Sequence, residues 1–302
     1  MLNRQEFTET IIGELREQLS GDYNIVQRQV MKANDTPYTA INMTKEGSDI
    51  GIVLYAEDMY SEYESGRSIE EIAEKAADRV RSNSVEKEVL PSFDRDFILG
   101  NVYFRMANAA MNQRRFENIP IRVAQGTEDI ALYPCVDVSI RGTHGITMIS
   151  ESAIQSLGIS VEELHSAAQA NTERRVEVVP LSQLLAEMMP GMSVEAFDSP
   201  FYVTRDREAK DGVGCASIFG APEALKQMEG DYYIIPSSVH EVLLLPKSFE
   251  ADTDRLHELV HEVNRDVLQP EDFLSDHVYE MKAGAVSTVG HERAAEKSIE
   301  LE

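Results

Sequence analysis

A hydroxyl, an imidazole and a carboxylate stand close together in the stretch Ser237-Ser238-Val239-His240-Glu241. A serine activated by a neighbouring histidine is a nucleophile, so these residue types suit a hydrolase. Catalytic groups are usually assembled by the fold from separate elements, and a Pro-Ser-Ser sequence is equally typical of a turn in which Ser238 caps the backbone and His240 orients it. Because the chain has no G-x-S-x-G sequence, we favour the turn.

A hydrolase built on this stretch would take further polar groups from later in the chain. Asn264 and Asp276 are the residues that we expect to help. The candidate polar site therefore consists of Ser237, Ser238, His240, Glu241, Asn264 and Asp276.

Residues 257–261 match the sequence H-E-x-x-H. In zinc peptidases this spacing places two imidazoles one helical turn apart, and the glutamate activates a metal-bound water. Two features weaken the match: Arg255 and Glu262 flank it closely, and no H-x-x-G-x-x-H extension follows. The nearest candidates for a third ligand are Glu271, Asp272, Asp276 and His277.

Helical spacing decides between a zinc site and a surface pair. It places His257 and His261 on the flank of an apolar stripe, where we expect both to be solvated, and Glu258 nearly opposite that stripe. We therefore predict that the match is accidental and that the chain binds no metal and no other cofactor. The expected buried stripe consists of Leu256, Leu259, Val260, Val263 and Val267.

The elements around these residues predict an antiparallel sheet with helices on one face. Apolar runs typical of strands, 232–235 and 242–245, flank the polar centre, and the most periodic helix of the chain follows. A capping box at Ser160 and Glu163 opens a helix, residues 172–175 read as a polar connector, and apolar periodicity is lost from Ala283. The other predicted elements of this half are helices over 181–189 and 222–228 and strands over 201–205 and 215–219.

The first half of the sequence predicts another α+β domain. An amphipathic helix over 3–19, with Asn3 and Glu6 as its capping pair, leads into three strands separated by turn sequences, which is an antiparallel meander. Helices over 56–64 and from Ser68, which opens a capping box with Glu71, come next, and strands over 102–106, 130–138 and 140–149 complete this half. The fold class is thus α+β, with two domains, each an antiparallel sheet with helices packed mainly on one face. Their predicted limits are 1–149 and 150–282, followed by a disordered tail over 283–302.

Composition narrows the function classes. A formal charge of −25 without any basic stripe opposes direct binding to nucleic acid. No apolar run approaches the ~20 residues of a membrane-spanning helix, and the N-terminus does not resemble a signal peptide. Cys135 and Cys215 lie far apart in apolar runs, which argues against a disulfide framework. We expect a cytoplasmic protein that does not bind membranes.

Several stretches together carry a resemblance to a known family. They include Ile235-Pro236-Ser237-Ser238-Val239-His240-Glu241-Val242, Leu54-Tyr55-Ala56-Glu57-Asp58-Met59-Tyr60 with Gly66, Glu262-Val263-Asn264, Pro270-Glu271, and Leu274-Ser275-Asp276-His277-Val278-Tyr279. With these the chain resembles domain-of-unknown-function family 5688, found in gut Firmicutes and their mobile elements. The resemblance extends to about Lys282 and implies a bacterial cytoplasmic protein. It supplies no activity, cofactor or catalytic residue.

These observations favour a non-enzymatic interaction or accessory module. The resemblance implies that this module belongs to a mobile element. Its acidic surface suits an unidentified, basic protein partner. The alternatives are a hydrolase with a Ser/His/Glu centre near Pro236 and, less favoured, a zinc metallopeptidase that uses residues 257–261.

Overall fold

The fold of the chain is α+β, as predicted. A computed structural model describes residues 2–19, 21–48, 51–84, 93–140, 143–189, 191, 193–194, 197, 199–208, 218–226, 228 and 230–290. The helices described are α1 (Arg4–Gln18), α2 (Ala56–Glu64), α3 (Ile69–Asn83), α4 (Arg95–Asn101), α5 (Glu151–Ser156), α6 (Val161–Arg175), α7 (Leu181–Met188), α8 (Pro222–Leu225) and α9 (Thr253–Asp266). The strands described are β1 (Tyr23–Met31), β2 (Pro37–Lys45), β3 (Gly51–Tyr55), β4 (Tyr103–Asn108), β5 (Arg122–Val123), β6 (Ile130–Ile140), β7 (Thr143–Met148), β8 (Val176–Pro180), β9 (Tyr202–Asp206), β10 (Tyr232–Pro236), β11 (Val242–Pro246), β12 (Tyr279–Lys282) and β13 (Ala285–Thr288).

The chain divides into two compact units. The first unit contains Met1–Lys32, Thr36–Ser92 and Ser139–Thr143, and the second contains Ala33–Asp35, Phe93–Val138 and His144–Glu302. None of the helices in the described part of the chain is long and apolar enough to cross a membrane.

The first unit is the predicted meander covered by three helices. Its sheet has the order β1-β2-β3, with all pairs antiparallel. The helices α1 and α3 start with the two predicted capping boxes, at Asn3 with Glu6 and at Ser68 with Glu71. Alternate strand residues such as Ile41 and Met43 point toward the helices. The unit core is formed mainly by Phe7, Ile11, Leu15, Ile41, Met43, Leu54, Ile72 and Val80.

The second unit contains two sheets, because strands that the sequence assigns to the first domain lie in this unit. A six-stranded sheet has the order β13-β12-β10-β11-β9-β8, and a separate sheet has the order β4-β6-β5 with β7 also paired to β6. Strands before Ser150 and helices after it share one core, in which Phe104 and Leu132 belong to the same cluster as Leu164. Hence residues on both sides of Ser150 belong to one compact unit. Two independently folding domains with a boundary there stay a prediction.

The predicted connector over 172–175 is wrong, because these residues are the last turn of α6. The hydroxyl of Thr172 accepts from the Phe104 N–H and donates to the Ala168 carbonyl, so it is satisfied when buried. Arg175 is buried as well: its guanidinium donates to Asp206 at 2.7 Å and lies 3.6 Å from the centre of the Tyr103 ring. Polar residues that read as a surface loop are therefore held inside by distant partners.

Two more predicted elements differ from the structure. Ile218 and Phe219, predicted as the end of a strand, lie in a short 3-10 helix, and residues 215–217 with the Gly212-Val213-Gly214 loop lie outside the described residues. Ordered structure also continues past Ala283, where a tail is predicted, because β12 turns back into β13. Residues 291–302 lie outside the described residues.

The β12-β13 hairpin turns at Ala283 and Gly284, both with positive φ, and the Ala283 N–H donates to Asp231. Gly126, also with positive φ, lies against this hairpin: a Cβ atom built on it would be 2.0 Å from the Val286 carbonyl oxygen. Only a glycine permits both the backbone conformation and this close approach.

We expect Gly126→Ala to lower the free energy of unfolding by about 2 kcal/mol or more, because it adds positive-φ strain to a backbone clash. The control is Gly13→Ala, an exposed helical position with nothing within 4 Å of the added Cβ, which should stabilise by up to about 1 kcal/mol. Urea unfolding followed by circular dichroism measures both. Equal stability of the two variants would contradict the close approach of β13.

Candidate functional site

The predicted Ser/His/Glu centre forms the turn between β10 and β11. The Ser238 hydroxyl accepts from the His240 backbone N–H at 3.0 Å, and the Ser238 N–H donates to the Glu241 carbonyl at 3.1 Å. The Ser237 hydroxyl donates to Glu241 Oε1 at 3.0 Å. The predicted turn, capped by Ser238, is confirmed. Ser238 is also buried, and its hydroxyl caps the backbone of the turn.

The His240 ring points to another part of the chain. Its Nε2 lies 3.1 Å from Asp272 Oδ1, and the Val239 N–H donates to the Asp272 carbonyl at 2.9 Å. These two contacts hold the turn against residues 270–279. We call this largely irregular stretch, which follows α9 and ends at the first residue of β12, the 270–279 segment.

Asparagine side chains satisfy the carbonyls of the 270–279 segment. An irregular backbone that runs through a folded unit has no ladder partners, so side chains must supply its hydrogen bonds. Three asparagines from widely separated positions do this, and two of them, Asn34 and Asn108, are buried. The bonds run from Asn34 Nδ2 to Pro270 O (2.7 Å) and Phe273 O (2.8 Å), from Asn108 Nδ2 to Leu274 O (3.1 Å) and from Asn264 Nδ2 to Ser275 O (2.9 Å).

Asn264 and Asp276, which are predicted to help a hydrolase, lie next to each other. Asn264 Nδ2 donates to Asp276 Oδ1 at 2.8 Å, and Asp276 also lies 3.3 Å from His261 Nδ1. No hydrogen bond joins Asn264 or Asp276 to any of the four residues of the β10-β11 turn, all of which are described. The six predicted residues thus form two hydrogen-bonded groups, each of which contacts the 270–279 segment.

Asp129, just before β6, has a role that the sequence does not predict. Its carboxylate accepts from the Ser275 hydroxyl at 2.6 Å and from the Tyr279 hydroxyl, and His277 Nδ1 lies 3.2 Å away. Burial raises the pKa of the Tyr279 phenol, and its hydrogen bond to Asp129 adds to the shift. Nothing next to Asp129 in the sequence indicates this role, because its partners follow 146 to 150 residues later.

This cluster has one member that solvent reaches easily. Ser275 and Tyr279 have no exposed surface, whereas 48% of the His277 side chain is exposed. A substrate could approach the imidazole and the partly exposed Asp129 carboxylate, whereas the two buried hydroxyls serve to hold Asp129 and the strand β12. We interpret the cluster as a structural fastening of the 270–279 segment.

The first unit contains a groove that is lined by both apolar and charged side chains. Strand β3 is the last strand of its sheet, and its outer edge has no strand partner in the described part of the unit. Between this edge and the helices α2 and α3 lies a cavity of about 200 Å³. We call it the β3 groove; its lining residues are Val53, Leu54, Tyr55, Asp58, Met59, Glu62, Ile72, Lys75, Ala76 and Arg79.

The β3 groove has an apolar floor and a charged rim. Leu54, Met59 and Ile72 are buried side chains of the unit core. On the rim, Lys75 Nζ donates to Glu62 Oε1 at 2.8 Å, which lowers the pKa of that carboxyl. By contrast, Asp58 and Arg79 are exposed and form no ion pair with any described residue.

Comparison with known proteins identifies a family. Residues 4–282 fit the model of a family described as "Family of unknown function (DUF5688)", which is most of the chain. The chain belongs to this family. No curated protein and no solved structure was found to match it. The family membership confirms the resemblance and adds no activity. Of the stretches that carry the resemblance, 54–60 borders the β3 groove, and 235–242 and 274–279 include the turn and the segment described above.

The H-E-x-x-H residues of this family member lie on α9, as predicted. The buried face of this helix, however, is not the predicted one. His257 is only 2% exposed and is buried with Leu256 and Val260, whereas Leu259 is exposed. Our expectation that both histidines are solvated is therefore wrong for His257. The reason is that Asn264 and His261 bond to the 270–279 segment and turn their side of the helix inward.

Val267, predicted in the buried stripe, is exposed as well. Two other parts of the helix prediction agree with the structure. Glu258 lies on the solvent side, where it contacts Arg255 at 3.1 Å, and about half of the His261 side chain is exposed. Within the described residues, no group of three or more His, Cys, Asp or Glu side chains could hold a metal ion.

We expect Asp129→Ala to lower the free energy of unfolding by about 2 to 3 kcal/mol, because it removes the acceptor of two buried hydroxyls. Asp276→Ala, a carboxylate that is 47% exposed, should cost less than about 1 kcal/mol. Urea unfolding compares the two variants. A loss at position 276 as large as that at 129 would refute the special role of Asp129.

The absence of zinc stays a prediction. We expect elemental analysis of the purified protein to find no stoichiometric zinc and His261→Ala to leave the metal content unchanged. His261 is the better test position, because replacing the buried His257 would disturb packing. Stoichiometric zinc that disappears in His261→Ala would restore the metallopeptidase hypothesis.

Proposed function

We propose that this protein is an interaction module that binds a segment of a protein partner, and that it acts without catalysing a reaction. The observation that carries the proposal is the β3 groove. It joins a strand edge that has no strand partner among the described residues, a cavity of about 200 Å³ and two charged side chains, Asp58 and Arg79, that form no ion pair with those residues. Such a combination is what extended peptide segments bind to in other proteins.

The charge of the chain supports a basic partner. With 53 acidic against 28 basic side chains, the chain attracts a positively charged protein at long range and repels acidic ones. The proposal extends to an accessory role in the cytoplasm of a bacterium, associated with a mobile element. Only the resemblance described above supports that extension.

The enzymatic alternatives have less support. A hydrolase centred on Ser238 needs its hydroxyl beside an imidazole, whereas this hydroxyl accepts a backbone N–H and the His240 ring contacts Asp272. We therefore do not propose it. The metallopeptidase hypothesis depends on the zinc measurement described above.

Selection from a library of random twelve-residue peptides displayed on phage tests the proposed function. We expect the full chain to enrich peptides that bind in the micromolar range, with affinity that falls as salt increases. An unrelated folded protein of similar negative charge is the control for attraction by charge alone. If no peptide binds the chain better than this control, the proposed function is wrong.

A further inference from the structure

We infer that the β3 groove takes an extended peptide as an added strand on β3, with an aliphatic side chain in the cavity, a basic side chain facing Asp58 and an acidic one facing Arg79. This inference rests on the proposed function and specifies the chemistry of the partner segment. Three features of the groove support it: the strand edge, the apolar floor and the charges of the rim.

The strand edge supplies backbone hydrogen bonds. In an antiparallel pair, alternate residues direct their N–H and C=O groups toward the partner strand, and the residues between them direct theirs away. Within the part of the first unit that the structure describes, β3 pairs with β2 on one side only, so alternate residues of Gly51–Tyr55 have no strand partner for these groups on the groove side. A peptide strand about 4.8 Å from β3 would satisfy them and fix its own register.

The floor supplies one side-chain pocket. Leu54, Met59 and Ile72 are buried and apolar, and the small Ala76 leaves room above them. Cavities of roughly 150 Å³ with apolar walls accept a benzene-sized molecule. The cavity here, about 200 Å³, therefore has room for one leucine-sized or isoleucine-sized side chain. In an added strand every second side chain points to the same face, so this anchor has neighbours two residues away on either side.

The rim determines which neighbours fit. Lys75 and Glu62 bind each other, so neither charge is available to a peptide without loss of that bond. Asp58 lies one helical turn before Glu62 in α2, and Arg79 lies one turn after Lys75 in α3. Both are exposed and form no ion pair with described residues. A peptide with one positive and one negative side chain around its aliphatic anchor complements them.

Two synthetic peptides test the inference, one with the core Lys-Thr-Leu-Thr-Glu and the other with the core Glu-Thr-Leu-Thr-Lys, each fluorescein-labelled and flanked by threonines. Binding to the full chain is measured by fluorescence anisotropy. We expect one order to bind more tightly, because the added strand has one direction. A third peptide, N-methylated at a backbone position that pairs with β3, should lose binding, whereas methylation at the adjacent position should not.

Charge exchange in the groove gives the decisive comparison. The variant Asp58→Lys with Arg79→Glu keeps the net charge and should weaken the preferred peptide about tenfold, because repulsion between like charges replaces two exposed ion pairs. It should also reverse the preference between the two peptides. The matched control is Asp78→Lys with Arg81→Glu, an exposed pair on α3 outside the groove, which should change affinity less than about twofold.

The outcomes separate this inference from the proposed function. Reversal of preference in the groove variant alone supports strand addition at the β3 groove. If library-selected peptides bind but both charge exchanges leave them and the two designed peptides unaffected, the groove is not the site and the proposed function stands. If designed peptides fail to bind while selected ones do, the assigned peptide chemistry is wrong. If N-methylation leaves the affinity of the peptide unchanged at both backbone positions, strand addition is wrong. If no peptide binds at all, the proposed function fails as well.

Discussion

The second unit depends on how its 270–279 segment satisfies backbone hydrogen bonds. Carbonyls that leave water without a partner cost free energy, and this segment has little helix or strand of its own to supply one. Asn34, Asn108 and Asn264 donate to its carbonyls, and Asp129 accepts from two hydroxyls near its end. The placement of the β10-β11 turn and the facing of α9 follow from contacts with the same segment. Side chains of limited length thus determine where several elements lie.

The sequence predicts best those features whose physical cause is local. The capping boxes at Asn3 and Ser68, the meander and the turn capped by Ser238 all arise from residues a few positions apart. Each can be recognised from side-chain chemistry and spacing alone. The assignment to an α+β fold follows from the same local patterns.

The failures involve partners far away in the chain. Arg175 reads as a loop residue because Asp206, which satisfies its charge, follows 31 positions later. His257 reads as solvated because the inward turn of α9 depends on Ser275 and Asp276, which no helical pattern reveals. Strand β13 is missed since Ala283-Gly284 lacks the asparagine or aspartate typical of a two-residue hairpin turn. Asp129 is missed because a single aspartate before a strand has no distinctive pattern.

The bonds of Asn34 have a consequence for the order in which the protein is made. Its side chain binds carbonyls 236 and 239 residues further along the chain. A growing polypeptide emerges from the ribosome N-terminal end first, so the Asn34 amide cannot form these two bonds until both carbonyls have been synthesised. The helices and strands up to Asn83, in contrast, contact one another over short sequence distances and can pack early. The second unit is therefore completed late in biosynthesis, because Asn34 cannot bond to Pro270 and Phe273 until both residues have been added to the chain.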